Sequence, residues 1–527
     1  MRASRPHPES HAAPSFWRRT LARAFAMREP LEWFRERAGY KWWVVGTVCL
    51  GAFMGQLDAS IATLLIPTLR TVFRQHLANV EWVVISYLLT LVGLVVMFGR
   101  LADMFGRKEM YTLGFVVFTA GSVACGASGT LEALVLWRVV QALGAAMLQA
   151  NSVAIITQAV DRSELGQAIG VQGAAQAIGL SVGPALGGIL ISQLGWQWVF
   201  YINLPVGIVG TTAGWLILPS SERAGPGESF DWLGLALFAP ATAMSVYAIT
   251  QGERWGWGSP EIIGLIVLSL MLFALFAVRE RRAAFPMVHL ELFANRTFTA
   301  GVVAGLLSYA VLFGGLFVIP VFLERALRLS AQTTGLTLTA VPVALAVAAP
   351  FAGALADRFG PRGLTVGGMV VAAVALLWLD KVSPTAELSL LSALALFGLG
   401  VGAFTPPNNA AIMGAAPLKR LGVAGGILNM TRGLGATWGV AATGAVLAWR
   451  QRVYEAGWRP GDVASFARHL AGVHHHRLIV AMYSVSRAFH DSVLFLFALA
   501  LLGGAISMVR GRASIAGEFE EGHQELL

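Results

Sequence analysis

The feature that most limits what this chain can fold into is the segregation of its charge. Apolar residues make up 56% of the sequence and charged residues 13%, against roughly 25% charged in soluble globular chains. The charges sit in short patches between apolar runs of about 18–28 residues, the length that crosses a bilayer. In lipid, a single run of that length satisfies its backbone only as a helix. The fold class expected is therefore an all-α polytopic membrane protein. Fourteen spans are expected, at roughly 43–67, 80–98, 110–127, 131–154, 166–191, 198–218, 232–250, 260–278, 298–322, 334–356, 363–380, 388–412, 422–449 and 492–510. An even number puts both ends on one side. The N-tail, the C-tail and the even-numbered loops hold most of the Lys and Arg, and loop 279–297 is the strongest marker, with Arg279, Arg281, Arg282 and Arg296. By the positive-inside rule both termini are cytoplasmic, in the cytoplasmic (inner) membrane.

Several function classes drop out. Cys49 and Cys125 both fall inside expected spans and read as small buried hydrophobes, not a disulfide. The first forty residues carry many arginines and no uninterrupted apolar core before Trp42, so no cleavable signal peptide is expected. Phe16, Trp17, Leu21 and Phe25 interleave with Arg18, Arg19 and Arg23, a pattern that suits either an anionic leaflet or plain disorder. No Gly-x-x-x-x-Gly-Lys-Ser/Thr loop points to ATP, and no nucleophile elbow or His-Glu-x-x-His helix points to an enzyme. The net charge of +9 is accounted for by the inside loops, which argues against nucleic acid as a partner. No cofactor is expected.

One short polar stretch occurs twice. Gly99-Arg-Leu-Ala-Asp-Met-Phe-Gly-Arg-Lys108 is matched 254 positions later by Gly353-Ala-Leu-Ala-Asp-Arg-Phe-Gly-Pro-Arg362. Gly99/Gly353, Asp103/Asp357, Gly106/Gly360 and Lys108/Arg362 fall in register. Such a long offset relates two halves of a membrane bundle, as in many secondary transporters. Two six-helix halves placed back to back would put the loops about 200 residues apart, so the excess has room for two more spans of ~20 residues each. Spans 7 and 8 are that pair.

With its flanks, the decapeptide resembles the cytoplasmic loop signature of the major facilitator superfamily. Fourteen spans with a central inserted pair resemble its drug:proton antiporter branch, typified by EmrB and QacA, over about residues 42–450. The resemblance implies a major facilitator fold, two six-helix bundles plus two inserted central helices. Its parts are a basic N-tail (1–41), a first bundle (42–218), the inserted helices (232–278), a second bundle (298–510) with an extracytoplasmic loop 450–491, and a C-tail (511–527). It also implies gating by Gly99, Asp103, Gly106 and Arg107 in one copy and by Asp357, Arg358, Gly360 and Arg362 in the other.

Charges inside the spans carry the expected chemistry. A carboxylate in a spanning helix is costly if ionised and usually faces a cavity or a partner. Asp58, in Gln56-Leu-Asp-Ala-Ser-Ile-Ala-Thr-Leu-Leu-Ile-Pro67, is therefore a candidate proton carrier, with a structural ion pair as the alternative. The stretch resembles the branch's first-span signature, with Ser60 in place of its Thr and Thr63 in place of its Asn. Arg138 lies some seven residues from the outer end of span 4 and Asp58 about nine from that of span 1, so the two sit at matching depth. They are the expected proton-coupling pair, against the alternative that Arg138 snorkels outward. Around it, Arg-x-x-Gln-x-x-Gly resembles the span-4 signature, with Ala142 where the branch has Gly. Gly179, Gly183, Pro184, Gly187 and Gly188 in span 5 resemble the antiporter motif, which implies export. Trp196–Pro205 resembles the same branch, with Gln197 where Arg is usual, and its aromatics read as an interfacial belt.

In the second half, Arg432 in a glycine-lined span 13 reads equally as a gate ion pair or a snorkelling cation. Pro406-Pro-Asn-Asn409 is expected to break span 12. Gln141, Tyr309, Phe313, Phe317, Phe404 and Asn408 are candidate substrate-cavity residues, with Met413 beside them. Loop 450–491 carries His469 and His474-His-His476. It reads as an outer helical hairpin more than a metal site, and as a docking surface for a periplasmic adaptor and outer-membrane channel by resemblance to tripartite exporters. The function expected is proton-coupled export of amphipathic drugs or toxic compounds across the cytoplasmic membrane. The rivals are a same-fold exporter of a dedicated metabolite (siderophore or antibiotic), a same-fold importer, and a non-transporting membrane sensor or scaffold.

Overall fold

The structure, a computed structural model, describes residues 30–37, 39–62, 64–220, 229–326, 328–381, 387–458 and 476–509. Helices occupy all fourteen expected positions, with no strand among the described residues. The first bundle holds α1 (Tyr40–Ala62), α2 (Trp82–Phe105), α3 (Arg107–Gly126), α4 (Leu131–Ala159), α5 (Leu165–Gln193) and α6 (Asn203–Ile217). The inserted pair is α7 (Trp232–Trp255) and α8 (Pro260–Arg282). Then follow α9 (Arg296–Arg325), α10 (Ala340–Phe359), α11 (Pro361–Lys381), α12 (Glu387–Gly414), α13 (Leu421–Gly457) and α14 (His476–Met508).

Among the described residues, twelve helices are long and apolar enough to cross a membrane. A thirteenth counts if α5, bent by 41° between Arg162–Gly183 and Ala185–Gln193, is one span. The bend falls where Pro184 removes a backbone donor. The helix left over is α13, whose glycines, Asn429, Thr431 and Arg432 dilute its apolar character. The expected fourteen crossings thus depend on a helix that apolarity alone does not select.

Local chemistry sets many of the boundaries. Thr130 caps α4 by accepting from Ala133 N (3.2 Å), and Asn295 caps α9 by accepting from Thr297 N (2.9 Å) and Phe298 N (3.2 Å). The first span, expected through residue 67, ends at Ala62. Pro67 lies instead in the first turn of a separate helix, Leu65–Val72, where a missing N–H leaves nothing unpaired. The break expected at Pro406-Pro407 does not occur, and α12 runs on to Gly414 with both prolines inside it. Membrane helices tolerate interior prolines where neighbouring groups can take up the freed carbonyls, and α12 is packed against α10 and α11. The segment 450–491 is helical at both ends, since α13 reaches Gly457 and α14 starts at His476. His469, His474 and His475 lie outside the described residues, as do Phe16 to Phe25 and the C-tail. Among the described residues no group of three or more His, Cys, Asp or Glu gathers as a metal site would, and both cysteines are free.

The repeat is visible in the packing. α2 lies against α13 and α5 against α10, and the repeat exchanges these two crossings. One apolar core joins both halves at the end carrying the repeated loops, and includes Phe98, Phe115, Phe298, Ile412 and Ile427. A second fills α9–α14 around Phe397, Phe404 and Phe489. A third, around Leu57, Ile61, Leu134 and Phe200, lies towards the other end of the first half. α7 lays Val246 against Val92 of α2 and Leu434 of α13, so it covers one seam between the halves. α8 packs on α7 through Ser269 Oγ, which donates to Ala241 O (2.7 Å), and turns Val267, Leu270, Met271 and Leu275 outward, as a lipid-facing helix does.

Candidate functional site

The structure brings Asp58 and Arg138 together. Arg138 Nη1 donates to Asp58 Oδ2 at 2.7 Å, Gln141 Nε2 donates to Oδ1 at 2.8 Å, and Asn203 Nδ2 reaches Oδ1 at 3.3 Å. Asp58, Arg138, Gln141 and Asn203 are at most 2% exposed. Arg138 is held on its other sides by Val83 O (3.1 Å), by Gln141 Oε1 (2.8 Å) and by the face of Tyr87, 4.2 Å from its guanidinium carbon. Asn203 also donates to Ser122 Oγ (3.0 Å), which donates to Phe200 O (2.8 Å). Among the described residues, every donor to Asp58 comes from within the first six helices. This carboxylate is the ion-pair partner that holds Arg138 in an apolar setting.

At the loop end, the two copies of the repeat do the same thing to opposite halves. Asp103 Oδ1 and Oδ2 accept from Gly422 N (2.9 Å) and Val423 N (3.0 Å), capping the start of α13. Asp357 Oδ1 and Oδ2 accept from Gly166 N (2.8 Å) and Gln167 N (2.9 Å), capping the start of α5. Each carboxylate meets the positive end of a helix dipole across the seam. Glycines make the approach possible: a Cβ on Gly99 or Gly422 would strike the other's backbone, and likewise for Gly166 and Gly353. Gly106 and Gly360 turn the chain after each aspartate with φ of +115° and +81°, which only glycine adopts readily. The cations differ. Arg107 donates to Asp103 Oδ1 (2.8 Å), Leu418 O (2.8 Å) and Gln158 Oε1 (3.2 Å), whereas Arg358 and Arg362 are exposed and make no ion pair among the described residues.

In α5, Gly179, Gly183 and Gly187 form one face against α1. A Cβ on them would meet Phe53 O at 2.6 Å, Ser60 Oγ, and Ile61 Cγ2 at 2.8 Å, while Gly188 faces open space. Ser60 Oγ itself donates to Leu57 O (3.0 Å).

The six expected cavity residues separate. Tyr309 lines a narrow cavity of about 20 Å³ between the halves, formed by α4, α5, α9, α10, α12 and α13. Gln141 belongs to the Asp58 cluster. Phe404 is buried in the second-half core with Phe313 and Phe317 packed against that core, and Asn408 donates to Gly301 O (3.2 Å). Met413 is buried in the core at the loop end. The cavity's polar lining comes instead from Gln172, Gln176, Asn409, Asn429 and Arg432. Arg432 donates to Gln176 Oε1 and Asn429 Nδ2 to Gln149 O (2.8 Å), so both cross between halves, and neither contact is the ion pair weighed for Arg432.

The Major Facilitator Superfamily profile matches residues 48–319 and 301–460. This chain belongs to that superfamily. It is 35% identical over 402 residues to the riboflavin transporter RibZ of Clostridioides difficile, covering 76% of this chain and 87% of that one. It is 30% identical over 413 residues to the tetracenomycin C resistance and export protein of Streptomyces glaucescens, covering 78% and 77%. Among solved structures, a double-tryptophan mutant of XylE superposes with a TM-score of 0.59, covering 93% of this chain and 99% of that one, and at 13% identity it shows the fold alone.

Within this superfamily fold, the residues that sequence reasoning missed are mostly amides. Asn203 lies in the aromatic stretch to which no chemistry was assigned, yet it reaches Asp58. Gln172 and Gln176 stand four residues apart in an apolar helix, a spacing that puts both on one face and gave the available signal.

Proposed function

We propose that the chain is a proton-coupled antiporter that exports amphipathic drugs or toxic compounds across the cytoplasmic membrane, with fourteen spans and both termini inside. The observation that carries this reading is Asp58, buried and ringed by Arg138, Gln141 and Asn203 at a place separate from the central cavity. A carboxylate so placed exchanges a proton without touching the cargo. In the geometry described, Asp58 is paired with Arg138 and the loop ends are closed by Asp103 and Asp357. A proton arriving from outside neutralises Asp58 and loosens Arg138. The halves then rock about the α2–α13 and α5–α10 crossings, and the cavity opens inward. Cargo enters, the proton leaves to the cytoplasm, and the loop end closes again. Gly99, Gly106, Gly353 and Gly360 shape the closing loops, and Arg107 anchors one of them. The glycine face of α5 lets it slide on α1.

Relatives named for resistance and export support the direction of transport. A second reading, export or transport of one dedicated metabolite, is favoured by the relative named as a riboflavin transporter. A periplasmic adaptor has no observation behind it and is not part of the proposal.

Inverted membrane vesicles with a pH-sensitive dye test the coupling. Adding riboflavin or tetracenomycin C is expected to dissipate an imposed gradient with the wild type and not with Asp58→Asn. Equal responses from the two proteins would remove Asp58 from the mechanism. Response to one of the two compounds alone would favour the dedicated reading.

A further inference from the structure

The central cavity has a charge of one sign. Among its described lining residues there is no Asp or Glu, and the single charged side chain is Arg432. The acids nearest in function are spent elsewhere: Asp58 on Arg138, Gln141 and Asn203, and Asp103 and Asp357 on helix starts at the loop end. Arg432 is half-buried about 16 Å along α13 from its start. Its hydrogen bond among the described residues goes to a neutral acceptor, Gln176 Oε1, and its guanidinium carbon lies 5.7 Å from the Tyr309 ring centroid. A cation at this depth is costly and is normally paired. Among the described residues no carboxylate pairs with it, and Gln176 Oε1 is the side-chain acceptor it meets. A second donor points to the same need: Gln172, 2% exposed and lining the cavity, has an Nε2 with no hydrogen-bond partner among the described residues. A buried donor left unpaired costs about 1–3 kcal/mol.

We propose that the cavity selects anionic or strongly hydrogen-bond-accepting aromatic compounds and rejects lipophilic cations. The acceptor group of the cargo sits on the Arg432 guanidinium and the Gln172 amide, and its flat face rests near Tyr309. This assignment rests on reading the central cavity as the cargo site. A positively charged dye meets Arg432 without any acid to offset it, and the repulsion is strong where solvent is scarce. A carboxylate or phenolate supplies the counter-charge that the protein omits, with the paired N–H geometry that guanidinium offers.

Two dyes on one xanthene scaffold separate the possibilities. Binding of fluorescein (anionic) and rhodamine 6G (cationic) to purified full-length protein in detergent is measured by fluorescence polarisation, which needs no proton gradient. Fluorescein is expected to bind at least tenfold tighter than rhodamine 6G. Arg432→Gln is expected to weaken fluorescein about tenfold without weakening rhodamine 6G, and Arg432→Lys to retain part of the preference. Rhodamine 6G binding that is retained or tightened shows that the variant is folded. Rhodamine 6G binding as tightly as fluorescein, or fluorescein binding untouched by Arg432→Gln, overturns the assignment. Because binding is read without coupling, that outcome leaves the antiport reading standing. A failed vesicle assay with intact anion preference does the reverse.

Discussion

At the scale of single residues, the chemistry turns on a buried charge pair and the amides around it. Removing one member strands the other, and breaking a buried pair typically costs about 3–5 kcal/mol, much of it from the charge left behind. Asp58→Asn is therefore expected to lower the melting temperature of the purified protein, and adding Arg138→Gln to restore most of the loss. A double variant less stable than Asp58→Asn alone would show that Arg138 does not depend on Asp58. Asn203→Leu removes a donor to Asp58 Oδ1 and to Ser122 Oγ. It is expected to cost about 1–3 kcal/mol, read in the same melts. The sequence made Asp58 and Arg138 visible because a charge inside an apolar run has few explanations. Asn203 escaped because an amide beside tryptophans at a helix start looks interfacial, and no local pattern says it points 145 residues back along the chain. Gln141 was picked out as cavity lining, but its place three residues after Arg138, in the next turn of the helix, turns it toward Asp58.

At the scale of elements, the repeated loops are clasps, each holding the first turn of a helix from the other half. Helix-cap losses are modest, about 0.5–2 kcal/mol each, so Asp357→Asn alone is expected to loosen the seam without unfolding the protein, whereas Asp103→Asn also leaves buried Arg107 without its carboxylate and is expected to cost more. A Cβ at Gly353 is more severe, because it meets the backbone of Gly166. Spin labels at Ser163 and Phe359, both exposed, are expected to report a longer distance in Gly353→Ala than in the wild type. Gly363→Ala, with open space around it, is the control and should not move them. A Gly353→Ala distance equal to the control's would remove the close glycine contact from the clasp. The repeat itself was legible from residue types in register. Its targets were not, since Asp357 reaches Gly166 and Asp103 reaches Gly422, contacts of 191 and 319 residues in sequence separation. The unbroken α12 has the same moral in reverse. Two adjacent prolines forecast a break, and packing against neighbours overrode the local preference.

At the scale of the whole molecule, two six-helix halves cross at α2–α13 and α5–α10, with the inserted pair laid over the first crossing. Since α7 touches both α2 and α13, the rocking proposed above would slide at least one of those contacts. Val246→Trp is expected to wedge that seam and slow transport several-fold while leaving the Asp58 cluster intact, measured as gradient dissipation in vesicles. The superfamily fold was readable because apolar run length, charge placement and a long-offset repeat are properties of the chain as a whole. The cavity's composition was not, because which face of a glycine-rich helix looks inward depends on how the halves meet.

The central claim is that the charge on Asp58 sets which end of the bundle is open. The Ser163–Phe359 spin-label distance, followed from alkaline to acid pH in wild type and in Asp58→Asn, tests it without any cargo. Acidification is expected to lengthen the wild-type distance as Asp58 takes up a proton and the clasps release. Asp58→Asn, which mimics the protonated state, is expected to give the long distance at every pH. If Asp58→Asn instead follows the wild-type pH response, the proton that moves this protein binds elsewhere.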